Sequence, residues 1–149
     1  MLRGIDPLLN ADVLHALAAM GHGDTLVIAD ANFPSHACAA ETVLGEALRI
    51  DAPAPRAIAA IASVMPLDTF IDDAARRMEV VDAPNEMPEV QREALEALRA
   101  AEGPGIAFTG TERFDFYERA KRAFAVIQTA ERRFYGCFIL SKGVVAPDD

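Results

Sequence analysis

Apolar residues recur in two rhythms along this chain. From Asn10 to Met20, Val13, Leu14, Leu17 and Met20 form a stripe at helical spacing. Asn10 is a ready N-cap, and Gly21 and Gly23 supply the stop. Thr25 to Ala29 is a short, continuous apolar run and reads as a buried strand. It ends in Asp30-Ala31-Asn32-Phe33-Pro34, which has the chemistry of a loop. Ser35 to Leu48 stays ambiguous between an Ala-rich helical stretch and a strand leading toward Ile50. Pro53 and Pro55 introduce a helix running through Met65, with Ile58, Ile61 and Val64 or Met65 on one side.

Met78 to Asp82 (MEVVD) is the next predicted strand. Pro88 to Glu102 is the clearest helix, because Val90, Leu95 and Leu98 alternate with Glu and Arg before Gly103-Pro104-Gly105 breaks it. A short strand is predicted from Ile106 to Thr109, a helix from Glu112 to Ala123 and a strand from Phe124 to Thr129. The last strand is predicted from Tyr135 to Leu140. This alternation implies an α/β fold: one domain over residues 1–149, with a mixed or parallel sheet flanked by helices.

Composition narrows the function classes. The chain has 149 residues, 52% hydrophobic, and a formal net charge of −9. Nucleic acid and anionic membrane require a cationic face, so neither is expected as the main partner. The longest apolar run, Ala57 to Met65, is about half of what a bilayer span requires. The N-terminus lacks the basic-then-apolar order of a signal peptide, and Cys38 and Cys137 are too few for a disulfide framework. A reduced, cytoplasmic protein is expected. The acidity is uneven: residues 111–142 carry seven basic and four acidic side chains. This segment reads as a solvated helix face, or as a surface that pairs with a neutral or acidic segment of another subunit.

The densest polar cluster runs from Gly21-His22-Gly23-Asp24 through Asp30-Ala31-Asn32-Phe33-Pro34-Ser35-His36. Asp30 follows the first strand directly, and α/β sheets gather ligands at the carboxyl ends of strands. A carboxylate there can accept two sugar hydroxyls. His22 lies between two glycines just past a helix end, where an imidazole can exchange a proton near neutral pH. The plainer reading makes His22 a surface residue of a helix-terminal turn and Asp30 a turn former. A metal cluster of His22, Asp24, Asp30 and His36, serving a hydrolase, is a third reading, although its spacing matches no compact ligand motif. Arg113 and Tyr117 are four apart at a helix start and share a face. Cys38 and Cys137 read as small buried residues, and no phosphate loop or nucleophile elbow is present.

In these segments the chain resembles the fucose mutarotase and D-ribose pyranase family (FucU/RbsD). The resemblance starts at Ile5-Asp6-Pro7-Leu8-Leu9 and continues through Met20 to Asp24 and Asp30 to His36. It extends over Arg113-Phe114-Asp115-Phe116-Tyr117-Glu118-Arg119-Ala120 and over Tyr135-Gly136-Cys137-Phe138-Ile139-Leu140-Ser141-Lys142-Gly143-Val144. It implies an RbsD-like fold and a cofactor-free isomerase that interconverts the α and β anomers of a reducing monosaccharide. It also implies a ring-shaped homo-oligomer, often a decamer, with sites at subunit interfaces. By the same resemblance His22 is the proton donor, and Asp30, Arg113, Tyr135, Gly136 and Cys137 bind substrate. No metal is implied. Arg rather than His at position 113 places the chain on the fucose branch. Two departures stand out: Cys137 occupies a position where the family carries Asn, and Asn32 one where fucose enzymes tend to carry His. A thiol lacks the paired donor and acceptor of an amide. The alternative reading is therefore a non-catalytic monosaccharide-binding or sugar-transport-associated protein.

Overall fold

The helix that opens the fold starts where its cap chemistry says it should. In the computed structural model, which describes residues 1–149, the Asn10 side chain accepts the Val13 N–H and α1 runs Ala11–Ala19. The remaining elements are β1 (Thr25–Ala29), α2 (Ser35–Ala39), β2 (Ala47–Ile50), α3 (Ala54–Ala62), β3 (Ala75–Met78) and α4 (Glu89–Glu102). They are followed by β4 (Thr109–Thr111), α5 (Arg113–Lys121), β5 (Ala125–Thr129) and β6 (Phe138–Ser141).

The six strands form one mixed sheet in the order β2-β5-β1-β6-β3-β4. The β2–β5–β1 and β3–β4 pairings are parallel. Strand β6 lies between the two groups and runs antiparallel to both β1 and β3. Alternation along the strands gives each face its own core. Leu26, Ile28, Leu48, Ile50, Ile127, Phe138 and Leu140 pack with α1, α3 and α4. Val27, Ala29, Val126 and Ile139 pack with Phe116 and Ala120 of α5 and with Cys38 and Ala39 of α2. No helix is long and apolar enough to cross a membrane.

The α/β class and the single mixed sheet agree with the sequence reading, but three boundaries move. The strand expected at Met78–Asp82 lies upstream, at Ala75–Met78, because the buried Arg77 finds acceptors for both terminal nitrogens instead of being excluded. Val80 to Asp82 instead form a turn in which Asp82 has φ 63°. The strand expected at Ile106–Thr109 is β4, two to three residues later, paired to Arg76, Arg77 and Met78 of β3. The last strand begins at Phe138, since Tyr135 has φ 63° and cannot lie in a pleated ladder.

Strand β6 also stabilises the helix at the other end of the chain. Lys142, just past its end, donates from Nζ to the carbonyls of Leu17 (2.7 Å) and Met20 (2.6 Å), capping a helix with no basic residue in its own last turn. The Lys142 carbonyl accepts the Gly23 N–H, and its N–H donates to the Asp24 carbonyl. Replacing Lys142 with Met leaves two helix carbonyls without their donor. The expected cost is about 1–2 kcal/mol, seen as a fall of roughly 2–8 °C in thermal midpoint; an unchanged midpoint by circular dichroism would refute the cap.

Candidate active site

Four strand ends converge at one edge of the sheet. Strands β1, β3 and β4 end there and β6 begins there, so the residues just beyond each of them face one another. Between them lies a cleft of about 300 Å³ lined by Asp30, Asn32, Phe33, Met78, Val81, Arg113, Tyr117, Phe134, Tyr135 and Cys137. Most of the wall is apolar, with a few polar groups aimed into it, as small-ligand sites usually are.

Asp30 is only 5% exposed. Its Oδ1 accepts the N–H groups of Asn32 and Phe33, both at 3.0 Å, so it forms the turn after β1 and leaves Oδ2 for other partners. Arg113 opens α5 because the Glu112 carboxylate caps that helix, accepting the N–H groups of Phe114 and Asp115. Its Nε–H donates to the Tyr117 hydroxyl at 3.0 Å, and its guanidinium lies 5.4 Å from the Tyr117 ring centroid. The shared face expected for these two residues is therefore present. Accepting that hydrogen bond, Tyr117 raises the already high pKa of Arg113 further.

Tyr135 reaches the cleft from a left-handed turn, and its hydroxyl accepts the Val81 N–H at 3.3 Å. Gly136 is buried behind it, where a Cβ would lie 2.7 Å from the Glu131 side chain, so its role is steric. Cys137 is 2% exposed. Burial pushes its thiol well above the ordinary value and the Asp30 carboxylate adds to this, so the group is a neutral thiol near pH 7.

His22 is not in this cleft. It sits before β1, whereas Asp30 sits after it, so roughly 17 Å of strand separates them. Its Nε2 is 3.1 Å from Asp68 Oδ1, and the Phe70 ring meets it edge-on at 5.4 Å. Asp68 is almost fully buried at the end of a turn, and accepts the Phe70 N–H at 3.0 Å. That backbone bond and His22 hold the Asp68 carboxyl below its ordinary range against the opposing effect of burial. Asp24, with Oδ2 2.7 Å from the Gly21 N–H, fixes the same turn. The four residues of the metal reading do not meet: His22 and Asp24 lie at one end of β1, Asp30 and His36 beyond the other.

Sequence reasoning missed Asp68 and Phe70, which carry no motif of their own and are brought to His22 by the pairing of residues 66–68 with Ser141, Lys142 and Gly143. It also missed Met78, Val81 and Phe134 as cleft walls. Much of the basic segment is answered internally: Arg119 pairs with Asp115, Lys121 with Glu118, and Arg133 with Glu131 and Glu93.

A family model described as the RbsD / FucU transport protein family matches residues 3–145. The chain belongs to the RbsD/FucU family. Among its relatives, the fucose mutarotase of Homo sapiens is 42% identical, across 97% of this chain and 95% of that protein. The crystal structure of the fucose mutarotase from Streptococcus pneumoniae in complex with L-fucose superimposes with TM-score 0.87 at 35% identity, covering 97% of this chain and 100% of the other. Protein Atu2016, described as a candidate sugar-binding protein, superimposes with TM-score 0.96 at 56% identity, covering 98% and 97% of the two chains. In this RbsD/FucU protein the turn behind the cleft rests on Glu131, 3% exposed.

Burial raises the Glu131 carboxyl, but Arg133, with its own N–H and that of Ala54, outweighs burial and holds it below the usual range. A depressed folded-state pKa gives stability that is present above the unfolded value, about 4.3, and lost as pH falls through the folded one. Glu131→Gln should therefore lower the thermal midpoint by several degrees at pH 7 and narrow the gap to wild type below pH 4. An equal deficit at both pH values would show that charge is not the cause.

Proposed function

We propose that this chain is a cofactor-independent mutarotase that interconverts the α and β anomers of L-fucose or a related reducing monosaccharide in the cytoplasm. The observation that carries this reading is the cleft at the carboxyl ends of β1, β3 and β4. There a buried carboxylate, a guanidinium and a tyrosine hydroxyl surround an apolar hollow, in a fold that superimposes on a protein crystallised with L-fucose.

The chemistry needs little. The anomeric hydroxyl gives up a proton, the ring oxygen gains one, and the bond between the anomeric carbon and ring oxygen breaks to give the open aldehyde. Reclosure on the other carbonyl face gives the second anomer. A single group that exchanges protons near pH 7, with one partner, suffices, and such assistance contributes roughly 10²–10⁴-fold. His22 is the proton-exchanging residue in this reading. With Nε2 3.1 Å from Asp68 Oδ1, Nδ1 is the nitrogen left to face the sugar in this reading. Asp30 and Arg113 hold ring hydroxyls. Tyr135 covers the sugar, and since its hydroxyl oxygen already accepts from Val81, its proton is available to donate. Cys137 completes the wall, and Gly136 behind it leaves the room that the turn needs.

His22 and the cleft lie at opposite ends of β1, so this reading also requires two subunits per site. The exposed apolar side chains support such an assembly: Phe70 meets His22 edge-on, while Val81 and Phe134 line the cleft and Phe114 lies against Arg113 and Tyr117. Contact between two different patches is head-to-tail and closes into a ring when the rotation allows. We place the catalytic unit in a ring-shaped homo-oligomer such as a decamer, with His22 of one subunit covering the cleft of the next.

The binding-only reading rests on Cys137, whose neutral thiol offers a sugar little hydrogen bonding. One experiment separates the two. NMR exchange between α- and β-L-fucose should be accelerated by wild type and not by His22→Ala or Arg113→Ala. Subunits of the two inactive variants, unfolded and refolded together, should regain about a quarter of wild-type activity, since random pairing rebuilds that share of sites. Sugar binding without acceleration would establish the binding protein. Light scattering at 16.0 kDa would refute the shared site.

A further inference from the structure

Arg77 is a buried cation that makes no ion pair, although the Glu79 carboxylate reaches the same spot over Gly110. It is 7% exposed, and its guanidinium donates only to neutral acceptors: Nη1 to the Glu86 carbonyl and to Gln91 Oε1, both at 3.3 Å, and Nη2 to the Pro84 carbonyl at 3.0 Å. Its Nε has no partner at all. A buried charge held this way is costly, and an apolar residue of similar volume would serve stability as well or better.

Its neighbour Gln91, on α4, is 0% exposed. The Gln91 amide spends both N–H groups on backbone: one on the Met78 carbonyl at 2.7 Å and one on the Tyr135 carbonyl at 3.0 Å. Every group that this pair holds belongs to a segment lining the cleft or adjoining it. Met78 ends β3, Tyr135 stands in its left-handed turn, and Pro84 and Glu86 belong to the loop that presents Val81. Val81 in turn donates its N–H to the Tyr135 hydroxyl.

We propose that Arg77 and Gln91 are positioning residues for the sugar cleft, fixing from beneath the three segments that set the placement of the Tyr135 ring and hydroxyl. The proposal rests on the mutarotase reading for its effect on turnover, and on geometry alone for its effect on the loop. The carbonyls of Met78 and Tyr135 are drawn to one side-chain amide, so the distance between two cleft walls is set by one rigid group. The guanidinium adds a fork that ties the loop to the same point. Neither residue touches the sugar.

Two variants test it. Arg77→Met removes the fork while filling the space. Gln91→Glu keeps the shape and gives Arg77 a counter-ion, but turns an amide donor into a carboxylate that faces two carbonyls. For each, KM for the sugar should rise about tenfold, the equivalent of one lost hydrogen bond to a charged group. The kcat should stay within about twofold and the thermal midpoint within a few degrees. Amide hydrogen exchange should quicken over residues 79–84 and 133–137, and not over β1. Unchanged KM with unchanged exchange in these two segments, in whichever variant folds, would overturn the proposal. If wild type accelerates no anomer exchange, the mutarotase reading fails, and the hydrogen-exchange comparison alone decides the positioning role.

Discussion

The antiparallel placement of β6 in the centre of an otherwise parallel sheet is the constraint on which the rest depends. Parallel strands need helical crossovers and place all their carboxyl ends at one edge. A strand inserted in the opposite sense must begin where its neighbours end. Hence the turn bearing Tyr135, Gly136 and Cys137 meets Asp30 and Met78, while Ser141 and Lys142 reach back to the start of β1. The residues on either side of this four-residue strand thereby build one wall of the cleft, cap α1 and close the turn that carries His22.

Around that strand, buried polar groups are used to fix backbone that cannot be part of a ladder. Asp30 holds the turn after β1, Glu131 the turn before Tyr135, and Gln91 the left-handed residue itself. Each charge or amide is taken from water at a cost, and each is repaid only because several main-chain N–H or C=O groups converge on it. That arrangement suits a site whose parts come from different loops. Apolar packing alone tolerates small shifts, whereas directional bonds do not.

The two chemical halves differ in character. The cleft is apolar and walled, and its cysteine is held neutral. The His22 turn is open, with its imidazole nearly half exposed and its carboxylate partner buried. On the reading proposed above, association would remove His22 from water at the moment that it meets the sugar, so that desolvation and catalysis would be coupled through the same contact.

Much of the fold was legible in the sequence. Strand β1 and helices α1, α3 and α4 fell within a few residues of their observed ends, because each has a clear apolar rhythm and an Asn, Asp, Pro or Gly at its boundary. Several side chains that line the cleft were legible too: Asp30 from its place after a strand, Arg113 and Tyr117 from their spacing, and Tyr135 and Cys137 from the family resemblance, whereas Gly136 lies behind the wall. The strand Ala75–Met78 was not, since two arginines in four residues look like surface until Pro84, Glu86 and Gln91 are seen to accept hydrogen bonds from one of them. Nor were the Asp68 partner of His22 or the separation of His22 from Asp30. Local rhythm determines which segments are helix or strand, because capping and alternation act between near neighbours. Only the tertiary structure decided which strand ends share an edge, because that follows from the order and direction of pairing between segments far apart in the chain.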